Sequence, residues 1–281
     1  MRKIILAVIQ GLTEFLPVSS SGHLALIQYF YKGLDDGDLV LDVLLHVGTL
    51  LVVLLYYRHD IFKLCRAALS FLPFVAQKTE APVSEKAPSQ NFLPEARHMI
   101  LLIVIGSIPT ALIGLLLKSI IEALFSSLVL VGIALVVTGT GLYVAEHIQG
   151  SSAAKSHISY RDALIIGTVQ GIAICPGLSR SGSTISAAIV LGIDRKLAAR
   201  FSFLLSIPAI GGALLLEGNN IIHLTSTAHG LSYAIAMLVA FITGYFAIHT
   251  LIKLVLRKKL SWFSWYCWGL GLLACIVGAI L

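Results

Sequence analysis

The stretch that decides the fold is residues 16–22, which read Leu-Pro-Val-Ser-Ser-Ser-Gly in the middle of an apolar segment from about 4 to 31. A second apolar segment, about 164–191, is interrupted by Cys-Pro-Gly-Leu-Ser-Arg-Ser-Gly at 175–182. Proline, glycine and serine runs break the helical hydrogen-bond ladder. Each half has about 13 residues, roughly 20 Å of helix, which is too short to cross a bilayer. We therefore predict two re-entrant helix–loop–helix hairpins, called here the first and second broken segments.

The composition is typical of a membrane protein. The 281-residue chain is 57% hydrophobic and 12% charged, with a mean hydropathy of +0.92, whereas soluble domains carry about 25% charged residues. So little polar surface excludes a soluble enzyme, a disordered chain and a small disulfide scaffold. The formal charge of +6 is better explained by topology signals, so we expect no nucleic-acid partner. The four cysteines have no metal spacing and are expected to be packing residues.

Six more segments are long and apolar enough to span a bilayer as helices. They are residues 39–58, 98–118, 128–146, 197–217, 231–253 and 264–281, each bound being approximate. We expect no secretory signal peptide, because the first apolar segment contains Glu14 and Pro17 and no Ala-x-Ala cleavage site follows it. The predicted fold class is an all-α polytopic membrane protein with about six spans and two re-entrant hairpins, forming a single integral membrane domain over residues 1–281.

The distribution of basic residues predicts the orientation. Residues 59–97 and 254–260 are rich in lysine and arginine, whereas 218–230 contains neither. The positive-inside rule places the first two loops in the cytoplasm and the third outside. By parity, both termini lie outside. Residues 77–91 are hydrophilic and are expected to form a linker within the cytoplasmic loop.

The two broken segments align without a gap at an offset of 160 residues. Gln-Gly at 10–11 falls on Gln-Gly at 170–171, and Ser-x-Ser-Gly at 19–22 falls on the same pattern at 179–182. Three spans, an odd number, separate the segments, which predicts an inverted-topology repeat with its halves at about 4–58 and 164–217. Chance similarity between two apolar segments is the alternative.

Polar residues inside a membrane are costly and mark functional sites. We expect the two tips to form one pocket with an acid (Glu14), a histidine (His23), a fixed cation (Arg180) and several hydroxyls. Helix N-termini favour phosphate, and arginine offers a bidentate fork for its oxygens. Glu14 suits a base or a ligand for a hard cation such as Mg²⁺ or Ca²⁺, with the Gln10 oxygen beside it.

Structural roles are the alternative for each of these residues. Serines in membrane helices often serve close packing, and Glu14 with Arg180 would also make a structural ion pair. Asp42 and His46, four apart on the next span, suit either a supporting role at the site or helix packing, and we favour packing.

Two motifs resemble signatures of a known family. Residues 10–23, Gln-Gly-Leu-Thr-Glu-Phe-Leu-Pro-Val-Ser-Ser-Ser-Gly-His, and residues 176–184, Pro-Gly-Leu-Ser-Arg-Ser-Gly-Ser-Thr, are similar to those of the bacterial undecaprenyl-diphosphate phosphatases, also called bacitracin-resistance proteins. The resemblance runs across nearly the whole chain. It implies a hydrolase in the bacterial plasma (inner) membrane that removes the terminal phosphate of a C55 polyprenyl diphosphate. This reaction recycles the lipid carrier for cell-wall synthesis.

The resemblance also implies a divalent cation and an active site that opens to the outer, periplasmic face. Position 10 is acidic in some family members and glutamine here, which leaves one carboxylate fewer for the metal. The expected partners are a polyprenyl diphosphate lipid and the bilayer, with a homodimer open as an alternative to a monomer.

The roles expected at the site follow from residue type and position. Ser20 pairs with Arg180 at the 160-residue offset, so Ser20 is the candidate nucleophile, with Glu14 or His23 taking its proton. The rival is a water activated by Glu14. The expected metal ligands are Glu14 and Gln10, and the expected phosphate-binding residues are Ser19, Ser21, Ser179, Ser181 and Thr184. A flippase for the lipid carrier, or a transporter of anionic lipids, is the alternative function, because inverted repeats recur in transporters.

Overall fold

The structure is a computed structural model that describes residues 1–30, 39–70, 92–117, 119–120, 127–148, 154–222 and 230–280. These ranges contain eleven helices and no named strand; the one β-type feature there is an isolated bridge between Lys155 and Ile193. The helices are α1 (Arg2–Phe15), α2 (Ser20–Phe30), α3 (Leu39–Tyr56), α4 (Arg58–Leu69), α5 (Phe92–Leu116), α6 (Leu128–Ile148), α7 (Tyr160–Ile172), α8 (Arg180–Val190), α9 (Arg195–Ile222), α10 (Gly230–Leu256) and α11 (Ser261–Ile280). The prediction of an all-α protein is confirmed.

Both broken segments are pairs of short helices that contact each other, α1 with α2 and α7 with α8. The backbone leaves the helix at Leu16 (φ −60°, ψ 141°) and α2 begins four residues later, at Ser20. In the second segment α8 begins at Arg180, so α2 and α8 have the same bounds at the offset of 160 residues. The breaks lie where proline and serine predict them. The re-entrant path and the inverted orientation of the two segments stay predictions.

Five helices, α5, α6, α9, α10 and α11, are long and apolar enough to span a bilayer by themselves. A sixth span arises if α3 and α4 count as one, although they bend by 81° at their junction. The chain is therefore a polytopic membrane protein with five to six spans, which agrees with the six predicted from hydropathy.

The predicted polar loop 59–97 is helical at both ends, which corrects that boundary. Helix α4 occupies residues 58–69, and α5 begins at Phe92. Ala67 is fully buried, and the partly buried Ile61 and Leu64, on the same face of the helix, pack against the main hydrophobic core. The charge density of the segment concealed this amphipathic pattern. The predicted linker 77–91 lies outside the described residues.

The predicted outer loop 218–230 is also shorter than expected. Helix α9 extends to Ile222 and α10 begins at Gly230, so only residues 223–229, which are not described, separate the two helices. Residues 218–220, Gly-Asn-Asn, therefore belong to the last turns of α9.

Glycines allow the helices to pack backbone to backbone. A Cβ on Gly167 of α7 would lie 1.9 Å from the carbonyl oxygen of Gly106 on α5. A Cβ on Gly11 of α1 would lie 2.6 Å from the carbonyl of Ala240 on α10, and Gly132 and Gly271 meet in the same way between α6 and α11. Such approaches need a residue without a side chain. Both α1 and α7, the first helices of the two broken segments, therefore pack closely against a long helix, α10 and α5 respectively.

Ion pairs tie one end of the bundle together. Arg195 at the start of α9 lies 3.2 Å from Glu146 near the end of α6, and Arg200 lies 2.6 Å from Asp60 on α4. Glu146 also accepts a hydrogen bond from the backbone N–H of Leu260. The helix ends that border the basic segments 59–97 and 254–260 therefore meet at one end of the molecule.

The Gly167 contact gives a stability test. Gly167→Ala places a methyl group against a backbone oxygen, which cannot move as a flexible side chain would, so we expect a loss of about 1–3 kcal/mol. In Gly141→Ala the new Cβ meets nothing within 4 Å, and helix propensity predicts an unchanged or slightly higher stability. Thermal unfolding of the two variants in the same detergent measures the difference. Equal melting temperatures would contradict the packing described here.

Candidate active site

The two tips touch each other in a reciprocal arrangement. A Cβ on Gly22 would lie 3.1 Å from the Cα of Gly177, and one on Gly182 would lie 3.0 Å from the Cβ of Pro17. Gly22 and Gly182 correspond at the offset of 160 residues, as do Pro17 and Gly177. The Ser181 hydroxyl also donates to the carbonyl of Phe15 at 3.0 Å. The structure therefore brings together the C-terminal end of α1 and the N-terminal ends of α2 and α8.

Two serines cap these helices alike. The hydroxyls of Ser19 and Ser179 each accept the backbone N–H three residues later at 3.1 Å. Each also lies 3.2–3.3 Å from the serine hydroxyl two residues later, that of Ser21 or Ser181. In both helices the N–H groups of the first two residues have no helical partner, which favours an anion nearby. Ser19 has a φ of 70°, a conformation that non-glycine residues rarely adopt and that is found at functional sites.

Glu14 accepts hydrogen bonds from three other polar side chains of the site. Its Oε1 accepts a hydrogen bond from Arg180 Nη2, which joins the two broken segments. Its Oε2 accepts from the Ser20 hydroxyl at 2.7 Å and from Gln10 Nε2 at 3.1 Å. The Glu14 side chain is 8% exposed, so these partners replace the water that the carboxylate loses on burial.

Arg180 retains capacity for a ligand. Its side chain is 15% exposed, and within the described residues its Nη1 is buried without a hydrogen-bond partner. An unpaired guanidinium nitrogen is costly, and a phosphate oxygen would satisfy it with a charge-assisted bond. The ion pair with Glu14 predicted as the structural alternative is present, and it leaves one nitrogen of the fork open.

His23 lies beside the site but bonds elsewhere. Its Nδ1 is 2.7 Å from the Ser19 carbonyl oxygen, and its Nε2 is 2.7 Å from the Tyr266 hydroxyl on α11, with the two rings stacked. A carbonyl only accepts, so Nδ1 carries the hydrogen and Nε2 accepts from Tyr266. Among the described contacts none joins His23 to Ser20, and the role of His23 as a base stays a prediction.

Thr184 and Ser181 are bonded into the frame. The Thr184 hydroxyl contacts the Arg180 carbonyl at 2.8 Å and the Ser202 hydroxyl on α9, and Thr184 is fully buried. The Ser181 hydroxyl is committed to Phe15. Phosphate binding by these two side chains stays a prediction, whereas their contacts hold α8 in place.

The sequence favoured a packing role for His46, whereas the structure places its ring beside Gln10 and Glu14. On α3, its Nε2 lies 3.3 Å from Gln10 Nε2 and 4.0 Å from Glu14 Oε2, so it joins the site. The available signal was its spacing of four from Asp42 and the serine, Ser206, that stands at its offset position. Tyr266 gave no signal beyond its place among aromatic residues.

The residues present fit a divalent cation that is shared with a substrate. Within the described part of the chain no group of three His, Cys, Asp or Glu residues could hold a metal by itself. Glu14 has a carboxylate at the site, and the buried Gln10 Oε1 has no partner among the described residues. One carboxylate with substrate phosphates is a usual environment for Mg²⁺.

The fold and this site define a polytopic membrane protein whose polar site is built from the meeting tips of two broken segments. The profile of the family described as "Bacitracin resistance protein BacA" matches residues 3–273. The chain belongs to this family.

Curated relatives match over nearly the whole chain. A protein of Alkaliphilus metalliredigens is 41% identical over 96% of this chain and 95% of its own. One of Desulfatibacillum aliphaticivorans is 44% identical over 95% of each chain, and one of Methanosphaera stadtmanae is 39% identical over 99% and 98%. Each of the three relatives is named undecaprenyl-diphosphatase.

Proposed function

We propose that this protein is an undecaprenyl-diphosphate phosphatase, which hydrolyses undecaprenyl diphosphate to undecaprenyl phosphate and phosphate. The observation that carries the proposal is the contact of one carboxylate with both a serine hydroxyl and an arginine, Glu14 with Ser20 and Arg180. A hydroxyl, a base that it already contacts and a cation for phosphate oxygens are the groups that phosphoryl transfer needs. The names of the relatives agree with it.

Glu14 is placed to activate Ser20. The Ser20 hydroxyl donates to Glu14 Oε2 at 2.7 Å, within the reach required of a general base. As Ser20 Oγ bonds to the terminal phosphorus, its proton passes to Glu14. The bridging P–O bond breaks, and undecaprenyl phosphate leaves with its electron pair. His23 is the less favoured base, because its Nε2 lone pair is occupied by Tyr266.

Water then completes the cycle. Its oxygen bonds to the phosphorus of the phosphoserine and one of its protons goes to solvent, while the Ser20 oxygen leaves and takes back the proton held by Glu14. The sum is one water consumed and one phosphate released. In the rival scheme, Glu14 activates the water directly and Ser20 only donates a hydrogen bond.

Arg180 and the N-termini of α2 and α8 stabilise the negative charge that develops on the phosphate oxygens during the reaction. The open Nη1 of Arg180 and the N–H groups at the starts of α2 and α8 suit the equatorial phosphate oxygens. The capping hydroxyls of Ser19 and Ser179, with Ser21 and Ser181 beside them, hold these N–H groups in place. Thr184 fixes the first turn of α8 against α9.

A divalent cation, Mg²⁺ or Ca²⁺, completes the proposal. The formal charges of Glu14 and Arg180 cancel, so the protein side of the site leaves most of a diphosphate's charge uncompensated. Glu14 and Gln10 would hold the cation, which supplies the remaining positive charge when it is bound.

The setting is the bacterial inner membrane, with the site open to the outer face. Hydrolysis there returns the lipid carrier to cell-wall synthesis and removes the diphosphate form, which supports bacitracin resistance. The lipid tail would lie among lipid-facing helices. A flippase needs anion binding but neither a nucleophile nor a base, so the Ser20–Glu14 contact favours hydrolysis.

Removing the arginine tests the function. The purified protein is expected to release phosphate from a polyprenyl diphosphate, and Arg180→Ala is expected to lower the rate by at least about 10³-fold. Arg180→Lys keeps the charge, and with it the partner of Glu14, but loses the fork, so its rate should fall between the two. Ser186→Ala is the matched control, because this buried hydroxyl has no described partner. Wild-type turnover in Arg180→Ala would refute the proposed site. Lipid translocation without phosphate release by the wild type would favour the flippase.

Trapping the intermediate separates the two mechanisms. Substrate labelled at the terminal phosphate is mixed with the enzyme and quenched in acid, and we expect labelled protein that disappears in Ser20→Ala. Loss of a nucleophile should reduce turnover by several powers of ten, whereas loss of a hydrogen-bond donor costs about 10²–10³. Turnover without any labelled protein at any time point would replace the serine scheme with direct attack by water.

Cysteine labelling tests the orientation. In a background without the native cysteines, single cysteines within 218–230 are expected to react with an impermeant reagent from outside. Cysteines within 77–91 should react only after the membrane is opened. The reverse pattern would place the first broken segment on the cytoplasmic side.

A further inference from the structure

His46 presents a lone pair to the centre of the site. Its Nδ1 lies 2.8 Å from the carbonyl oxygen of Asp42, and because a carbonyl only accepts, Nδ1 carries the hydrogen. The neutral ring then has its free electron pair on Nε2, which faces Gln10 and Glu14. Histidines that bind metals usually donate their other ring N–H to a carbonyl or carboxylate in this manner.

The Gln10 amide fills the space between two acceptors. Its NH₂ group lies 3.1 Å from Glu14 Oε2 and 3.3 Å from His46 Nε2. Glu14 offers no hydrogen there, which fixes the amide with its nitrogen on this side. Its oxygen is buried and has no partner within the described residues. The two N–H groups of the Gln10 amide therefore occupy the position in which a cation could bind both Glu14 Oε2 and His46 Nε2.

A rotation of the Gln10 side-chain amide by about 180° would convert Gln10, Glu14 and His46 into a set of metal ligands. The Gln10 oxygen would replace the nitrogen, and three acceptor atoms would be separated by 3.1, 3.3 and 4.0 Å. A point equidistant from atoms at these separations lies about 2 Å from each, which is a usual metal–ligand distance for Mg²⁺ or Zn²⁺. Arg180 would keep its bond to the other oxygen of Glu14.

We propose that His46 Nε2 is the third protein ligand, with Glu14 and Gln10, of the divalent cation at this site. The proposal rests on the proposed function, because the cation would share the diphosphate with Arg180. An imidazole together with two oxygen ligands shifts the preference from Ca²⁺ towards first-row transition-metal ions, whose affinity for such mixed sites rises from Mn²⁺ along the series. The histidine thereby supplies the donor that a glutamine at position 10 provides only weakly.

Mn²⁺ is the probe for the test, because its binding and its ligands are visible without turnover. Binding of MnCl₂ to the purified full chain is followed by electron paramagnetic resonance, alone and with methylenediphosphonate, a diphosphate that is not hydrolysed. We expect His46→Ala to weaken binding about tenfold or more. Electron spin echo spectra of the wild type should show modulation by an imidazole nitrogen, which His46→Ala and His46→Gln should both lack.

His147→Ala is the matched control. Its Nδ1 contacts the carbonyl four residues earlier at 2.8 Å, as in His46, but its ring is exposed on α6. This variant should keep wild-type affinity and nitrogen modulation. Absence of imidazole modulation in the wild type under both conditions would overturn the proposal, as would unchanged affinity in His46→Ala. Phosphate release is measured separately, so intact Mn²⁺ binding without hydrolysis would count against the proposed function and leave the ligand assignment in place.

Discussion

The ion pair between Glu14 and Arg180 is the interaction on which the site depends. It is buried, and it joins the last turn of α1 to the first residue of α8, two elements separated by 166 positions in the chain. Removing one member of such a pair typically costs about 3–5 kcal/mol, because the other charge stays buried without a partner. The same pair fixes where chemistry can occur, since Ser20 and Gln10 bond to the carboxylate and one arginine nitrogen stays open. A ligand that accepts a hydrogen bond from this nitrogen therefore binds to a site that the ion pair has already assembled.

The two broken segments share a frame of matching residues, and positions at which their alignment differs hold the polar groups of the site. Gln10 and Gln170 correspond, yet Gln170 bonds to Thr110 and lies near the Leu205 carbonyl within the frame, whereas Gln10 bonds to Glu14. Ile174 stands at the offset position of Glu14, Arg180 at that of Ser20 and Ser206 at that of His46. One segment therefore brings the Glu14 carboxylate, the Ser20 hydroxyl and, from the helix that follows, the His46 imidazole, and the other brings the Arg180 guanidinium. Neither half is a site alone, which explains why the contact between the tips matters more than either motif.

Close backbone packing at glycines fixes the position of the two tips relative to each other. Gly167 meets Gly106, Gly11 meets Ala240, and Gly22 meets Gly177, each at a distance that excludes a Cβ or crowds it. Lipid provides no hydrophobic force between helices, so backbone approach and hydrogen bonds from serine and threonine hold them together. Thr138 shows this at the second tip, where its hydroxyl donates to the Gly177 carbonyl and accepts the Ser179 N–H. The tip is thereby anchored to α6, independently of any ligand.

The sequence alone determined the helical class, the spans and the two breaks, and it indicated that Glu14, Ser20 and Arg180 meet at the tips, because hydropathy, proline and a repeated register are local signals. It misjudged where two polar loops begin: α4 continues as a helix into the basic segment 59–97, whose charge density hides an amphipathic pattern, and α9 continues to Ile222, into the uncharged segment 218–230. The tertiary structure decided the partners. It assigned Ser20 to Glu14, turned His23 towards Tyr266 on a helix more than 240 residues away, and brought His46 from α3 to Gln10. Which polar atoms share a buried site depends on the packing of distant helices, and spacing along the chain does not encode that.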